Sequence, residues 1–120
     1  MTRARMEEAQ ESLDAVNLLK DNGFYSIAMT RLYYACFYAA SALLIHHNIY
    51  TKTHAGVKHK IHECFVAEGL MSKEECGCLS VLFEKRQACD YDAYVRASRE
   101  EIEDFIPQAQ IFIDAVKRNM

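Results

Sequence analysis

Arg86 is the residue whose position most needs a chemical explanation. It follows Leu79, Leu82 and Phe83 at helical spacings of seven, four and three, so it shares their inward stripe. A guanidinium keeps its proton at physiological pH, so turned inward it needs an anion, a water-filled groove or a ligand. Arg31 repeats the pattern, following Phe24, Ile27 and Ala28 and preceding Tyr34 and Tyr38, which places it on an otherwise apolar face. Directly after Arg86 comes Gln87-Ala88-Cys89-Asp90-Tyr91-Asp92-Ala93-Tyr94, with two carboxylates and two phenols at a helix end. Two chemistries fit. Either the arginines are neutralised within the chain, Arg86 by Asp90 or Asp92, or they bind a phosphate or nucleotide with tyrosines beside them. His54, Lys58 and His62, at i, i+4 and i+8, form a basic stripe that matters if it borders the Arg86 groove.

The elements that must position these groups are all helical. Met6, Ala9, Leu13, Val16 and Leu19 recur at spacings of three and four and predict a helix over about 3–21, stopped by Asn22-Gly23. A second helix, from about Phe24 to His47, is apolar almost all round, so it belongs in the middle of a bundle or between two subunits. The third covers about His54 to Glu68, capped by Thr53 and closed at Gly69. Ser72-x-x-Glu75 and Ser98-x-x-Glu101 are reciprocal capping boxes that open the fourth and fifth helices. Pro107 lies inside the fifth and predicts a kink near Glu103–Pro107. The fold class expected is therefore all-α, an antiparallel up-and-down four-helix bundle with an additional short helix, in one domain spanning residues 1–120.

Composition narrows the function classes. Apolar residues make up 51% of the 120-residue chain, enough for a core without disulfide staples. The net charge of −3 argues against a surface that grips nucleic acid all over, though not against a local basic patch. The apolar run from Leu32 to Ile45 is shorter than the roughly 20 residues of a membrane span, so no membrane association is expected. A charged N-terminus without an apolar stretch and an odd number of cysteines, five, point to the cytoplasm and free thiols. Cys76-x-Cys78, Cys89 and the helix-3 histidines lack the paired spacing of a structural zinc site, and neither a metal site nor a cofactor is expected.

The ordered set Ser26-x-x-x-x-Arg31-x-Tyr33-Tyr34-Ala35, Lys52-Thr53-His54-x-Gly56-Val57, Leu82-Phe83-x-x-Arg86-x-x-x-Asp90-Tyr91 and Ser98-x-Glu100-Glu101 resembles the HEPN domains (higher eukaryotes and prokaryotes nucleotide-binding). The resemblance runs from about Ala9 to Phe112 and is nearest to the short stand-alone prokaryotic branch, often paired with a minimal nucleotidyltransferase in a toxin–antitoxin-like system. It implies a homodimer with a site in the dimer groove, where active members cleave RNA without metal. They use an arginine followed four to six residues later by a histidine. Arg86 matches the arginine, but the matching positions hold Tyr91, Asp92 and Ala93, and no histidine follows His62. A phenol with pKa about 10 is a weak base at neutral pH, so Asp90 or Asp92, or a histidine from helix 3, would have to move the proton.

Three readings follow, in order. The first is a binding module engaging RNA or nucleotide phosphate through Arg86, with Arg31, Tyr34, His54, Asp90 and Tyr91 as further ligand contacts and a nucleotidyltransferase as partner. The second is a metal-independent endoribonuclease with Arg86, Asp90 and Tyr91 as the catalytic candidates. The third is a structural or regulatory partner in which Arg86 and Asp90 form a buried ion pair.

Overall fold

The computed structural model describes residues 2–91 and 96–120, with the side chains of Thr2, Asp90 and Tyr91 outside the description. Five α-helices follow one another: α1 (Thr2–Asp21), α2 (Tyr25–His46), α3 (His54–Ile61), α4 (Lys73–Tyr91) and α5 (Arg99–Arg118). The protein is all-α, an antiparallel up-and-down bundle of α1, α2, α4 and α5 with the short α3 packed on α2.

The local signals act at the ends. Gly23 takes φ +81° and lets its own N–H donate to Lys20 and that of Phe24 to Leu19, which closes α1 and turns the chain into α2. Ser72 and Glu75 bond reciprocally at 2.8 and 3.0 Å at the start of α4, and Ser98 and Glu101 both at 3.1 Å at the start of α5. Each box satisfies two amide donors that the first helical turn leaves open. Glu75 also accepts both arms of the Arg118 guanidinium, at 2.9 Å each, which ties the start of α4 to the end of α5.

α2 touches all four other helices and is the centre of the bundle. Ala28, Ala35, Ala39 and Ala40 are fully buried and let neighbouring backbones approach closely, while Met29, Leu32, Leu43 and Leu44 fill the space between. Each fully buried leucine contributes about 1.5–3 kcal/mol of transfer free energy. α5 turns Ile102, Ala109, Phe112, Ile113 and Val116 onto this core.

Two expectations are corrected. Arg31 does not turn inward: it is exposed, as are Phe24 (53%) and Ile27 (51%) on the same stripe. A helix apolar nearly all round cannot show by periodicity which of its faces meets solvent. The third helix is not α throughout. After Ile61 the chain passes into a π turn over His62–Val66, with the Ala67 N–H on the His62 carbonyl, before Gly69 (φ +74°) ends it. α5 runs through Pro107, whose ring is exposed, with the proline inside the helix as the sequence places it.

Candidate functional site

Three helices meet at Arg86. α4 carries it, α2 supplies Tyr33 and Tyr34, and His54 is the first residue of α3. The Arg86 Cζ lies 5.2 Å from the centroid of the Tyr33 ring and 5.1 Å from that of Tyr34. Both distances fall within the ~6 Å over which an aromatic face attracts a cation. The two rings meet edge to face, 5.4 Å apart at 65°. Successive side chains on a helix diverge by about 100°, so both can flank one guanidinium only where α4 packs along the line between them.

Tyr33 is buried apart from its link to α3: its hydroxyl lies 2.6 Å from His54 Nδ1. Burial pushes the Tyr33 phenol up to about 12, against the opposing pull of the Arg86 charge. Burial, and then the same charge, lowers the pKa of His54. Both shifts keep the phenol protonated and the imidazole neutral near pH 7. Either partner can then donate: the phenol to Nδ1 with the imidazole hydrogen on Nε2, or the imidazole Nδ1–H to the phenol oxygen. The imidazole is held by Phe37, 4.3 Å between centroids, and by Phe83 at 6.0 Å. Lys58 joins His54 in lining a small apolar cavity of about 50 Å³ beside these rings, whereas His62 lies on the π turn and does not line it.

This arrangement suits binding better than proton transfer. Arg86, half-buried, supplies a fixed charge and a planar donor fork shaped for phosphate oxygens. His54 has Nδ1 committed to Tyr33, which leaves Nε2 as its open ring nitrogen. A neutral imidazole with a depressed pKa is a poor general acid near pH 7.

Of the residues singled out in the sequence, Arg86, Tyr34 and His54 come together. Arg31 instead lines a groove between α1 and α2 with Glu8, Glu11 and Tyr38. It connects to the site indirectly, because the Tyr38 ring stacks on Tyr34 at 5.7 Å. The side chains of Asp90 and Tyr91, and all of Asp92–Tyr94, lie outside the described residues. Sequence reasoning missed Tyr33 as a site residue. Only its adjacency to Tyr34 in the Arg31-x-Tyr33-Tyr34 segment could have drawn attention to it, and that segment reads equally well as core.

The family model of the HEPN domain matches residues 2–119. The chain belongs to the HEPN domain family. This HEPN chain is 32% identical over 113 residues to "Putative toxin MJ0142" of Methanocaldococcus jannaschii, covering 94% of the chain and 77% of that protein. To "Putative toxin MJ0605" of the same organism it is 34% identical over 116 residues, 97% of the chain and 86% of that protein. A "UPF0332 protein" of Thermotoga maritima is 36% identical over 110 residues, 92% of the chain and 83% of that protein.

Proposed function

We propose that this HEPN protein is a toxin-like binding module that engages RNA or nucleotide phosphate through Arg86, works as a cytoplasmic homodimer, and pairs with a minimal nucleotidyltransferase. The observation that carries the reading is the Arg86 guanidinium, half-buried and flanked by the rings of Tyr33 and Tyr34, with the neutral His54 joined to Tyr33. The aromatic faces hold the cation in place so that little side-chain freedom is lost when a phosphate arrives. Asp90 and Tyr91, which follow Arg86 in sequence, are further ligand contacts in this reading, and Arg31 is reached along the Tyr34–Tyr38 stack. The toxin-like part of the reading is supported by the names of the two M. jannaschii relatives. The dimer is supported by large apolar side chains left exposed on α1 and at the start of α2, Leu18 at 68%, Phe24 and Ile27. Fluorescence anisotropy of labelled single-stranded RNA against wild type, Arg86→Lys and Arg86→Ala tests it. Saturable binding, weakened in Arg86→Lys and lost in a folded Arg86→Ala, is expected. Binding unaffected by Arg86→Ala refutes it.

His54 favours a second reading, a metal-independent endoribonuclease, because a histidine does reach the neighbourhood of the arginine from another helix. Cleavage of RNA in EDTA that disappears in both Arg86→Ala and His54→Ala would establish this reading. Inert wild-type protein freed of any partner excludes it.

A further inference from the structure

The site around Arg86 uses none of the five cysteines, yet two of them touch. Cys36 on α2 and Cys78 on α4 meet with their sulfurs 3.9 Å apart, the one thiol–thiol contact among the described residues. Both are buried, Cys36 completely. Cys76 is buried too but makes no sulfur contact. It stands two positions before Cys78 on the same helix, so the two side chains diverge by about 200°.

A disulfide holds its sulfurs at about 2.05 Å, so this pair has to close by roughly 2 Å, within reach of side-chain rotation and a small helix shift. The closed fold disfavours that reaction. The bond to Cys78, and then burial, push the Cys36 thiol well above its usual value, and the thiolate is the reactive form. Cys78 lies nearer a way out. Its sulfur is 3.7 Å from the Gln108 carbonyl, and Gln108 is an exposed residue of α5. Pro107, immediately before it, brings no N–H to the helix ladder, so local opening of α5 is easiest there and uncovers Cys78 before Cys36.

We propose that Cys36 and Cys78 form a redox-responsive dithiol, oxidised by a hydroperoxide to a disulfide that clamps α2 to α4. Cys78 sulfur attacks the peroxide, the O–O bond breaks, and the departing oxygen takes the Cys78 proton and leaves as water or an alcohol. Cys78 is then a sulfenic acid. Cys36 sulfur attacks Cys78 sulfur, the S–O bond breaks, and the hydroxide leaves as water with the Cys36 proton. Two thiols have given two electrons to one peroxide, and an external dithiol reverses the step by exchange. A disulfide that forms and breaks in this way suits a reducing compartment better than a permanent staple. The clamp reaches the Arg86 site, because Cys36 lies one turn after Tyr33 and Cys78 two turns before Arg86. It holds whether or not Arg86 binds phosphate.

Hydrogen peroxide treatment of the folded full chain, followed by alkylation of the remaining thiols in denaturant and tandem mass spectrometry, tests the assignment. Cys64→Ser/Cys89→Ser, which removes the two partly exposed thiols, keeps intermolecular links out of the result. The expected product is an intrachain link between Cys36 and Cys78, formed about tenfold or more faster than Cys76 is oxidised, since Cys76 is equally buried but has no partner at hand. Cys36→Ala should leave a sulfenic acid on Cys78 that dimedone traps, and Cys78→Ala should leave Cys36 reduced. In amide NMR the linked chain should shift Tyr33, Tyr34 and Arg86, and dithiothreitol should return them. The linked chain should also unfold at a higher denaturant concentration than the reduced one. Four results overturn the proposal: Cys76 oxidised as fast as the pair, a link that forms only in unfolded chain, a link that leaves the amides of Tyr33, Tyr34 and Arg86 unmoved, or dimedone trapped on Cys36 in the Cys78→Ala chain.

Discussion

The Tyr33 hydroxyl lies within hydrogen-bond distance of His54 Nδ1, at 2.6 Å, joining the middle of α2 to the first residue of α3. Burial and then the Arg86 charge disfavour protonation of the imidazole, and with the phenol as donor the bond stabilises the neutral form as well. Tyr33→Phe removes the bond and leaves the burial. The His54 pKa, followed by NMR titration, is expected to rise toward its ordinary 6.5 without passing it. A value that stays or falls would show that the phenol is not the donor.

The same histidine links stability to pH. Its folded pKa lies below the unfolded 6.5, so the unfolded chain binds more protons in the window between them. The contribution is fully present above about pH 6.5 and is lost as pH falls through the folded value. Comparing the Tm of wild type and His54→Phe between pH 8 and 5 should show wild type losing more over that window. Parallel curves would contradict the shift.

A second titration acts at lower pH. The Arg118 guanidinium, and then the Ser72 amide, hold the Glu75 carboxyl down to about 2 against an ordinary 4.5. Glu75 therefore stabilises the fold above about pH 4.5, and that contribution disappears as pH falls through about 2. Thermal melts of wild type and Glu75→Gln should be furthest apart near neutrality and converge in strong acid.

Arg86→Ala removes a cation from two aromatic faces at once. At ~0.5–2 kcal/mol for each contact, a stability loss of about 1–4 kcal/mol is expected by denaturant unfolding. RNA affinity should fall by about tenfold or more, the scale of a lost charge-assisted contact. Arg86→Lys keeps the charge without the planar fork, so it should recover most of the stability and only part of the affinity.

Gly56→Ala places a methyl against the Thr51 hydroxyl and should cost about 1–3 kcal/mol as the loop is pushed away. Thr51→Ala in the same chain removes the oxygen that is struck. The double variant should be less destabilised than the sum of the two singles, and simple additivity would mean that the loop does not rest on Gly56.

Element ends were the most legible part of the sequence, because their chemistry is local. The capping boxes at Ser72 and Ser98, the cap at Thr53 and the glycines at 23 and 69 act within one helical turn, and each appears where the spacing placed it. The inward stripe of α4 was legible too, because Leu82 and Leu79 are buried one and two turns before Arg86. The orientation of α2 was not. With apolar residues on nearly every side, nothing in its periodicity separates the face of Leu32 from the face of Arg31. The Tyr33–His54 bond spans 21 positions and depends on how α3 folds back over α2, a long-range fact that no local spacing encodes.

The π turn at His62–Val66 makes chain length negotiable at one place. It holds one residue more than an α-helix would need, and deleting that residue lets the ladder close on ordinary i−4 partners. The helix ahead of it keeps its phase, so Val57 and Ile61 stay on the core, and the displacement is absorbed downstream by the turn at Gly69. A single-codon deletion there should be tolerated far better than one inside α2, where every following side chain would rotate off its contacts.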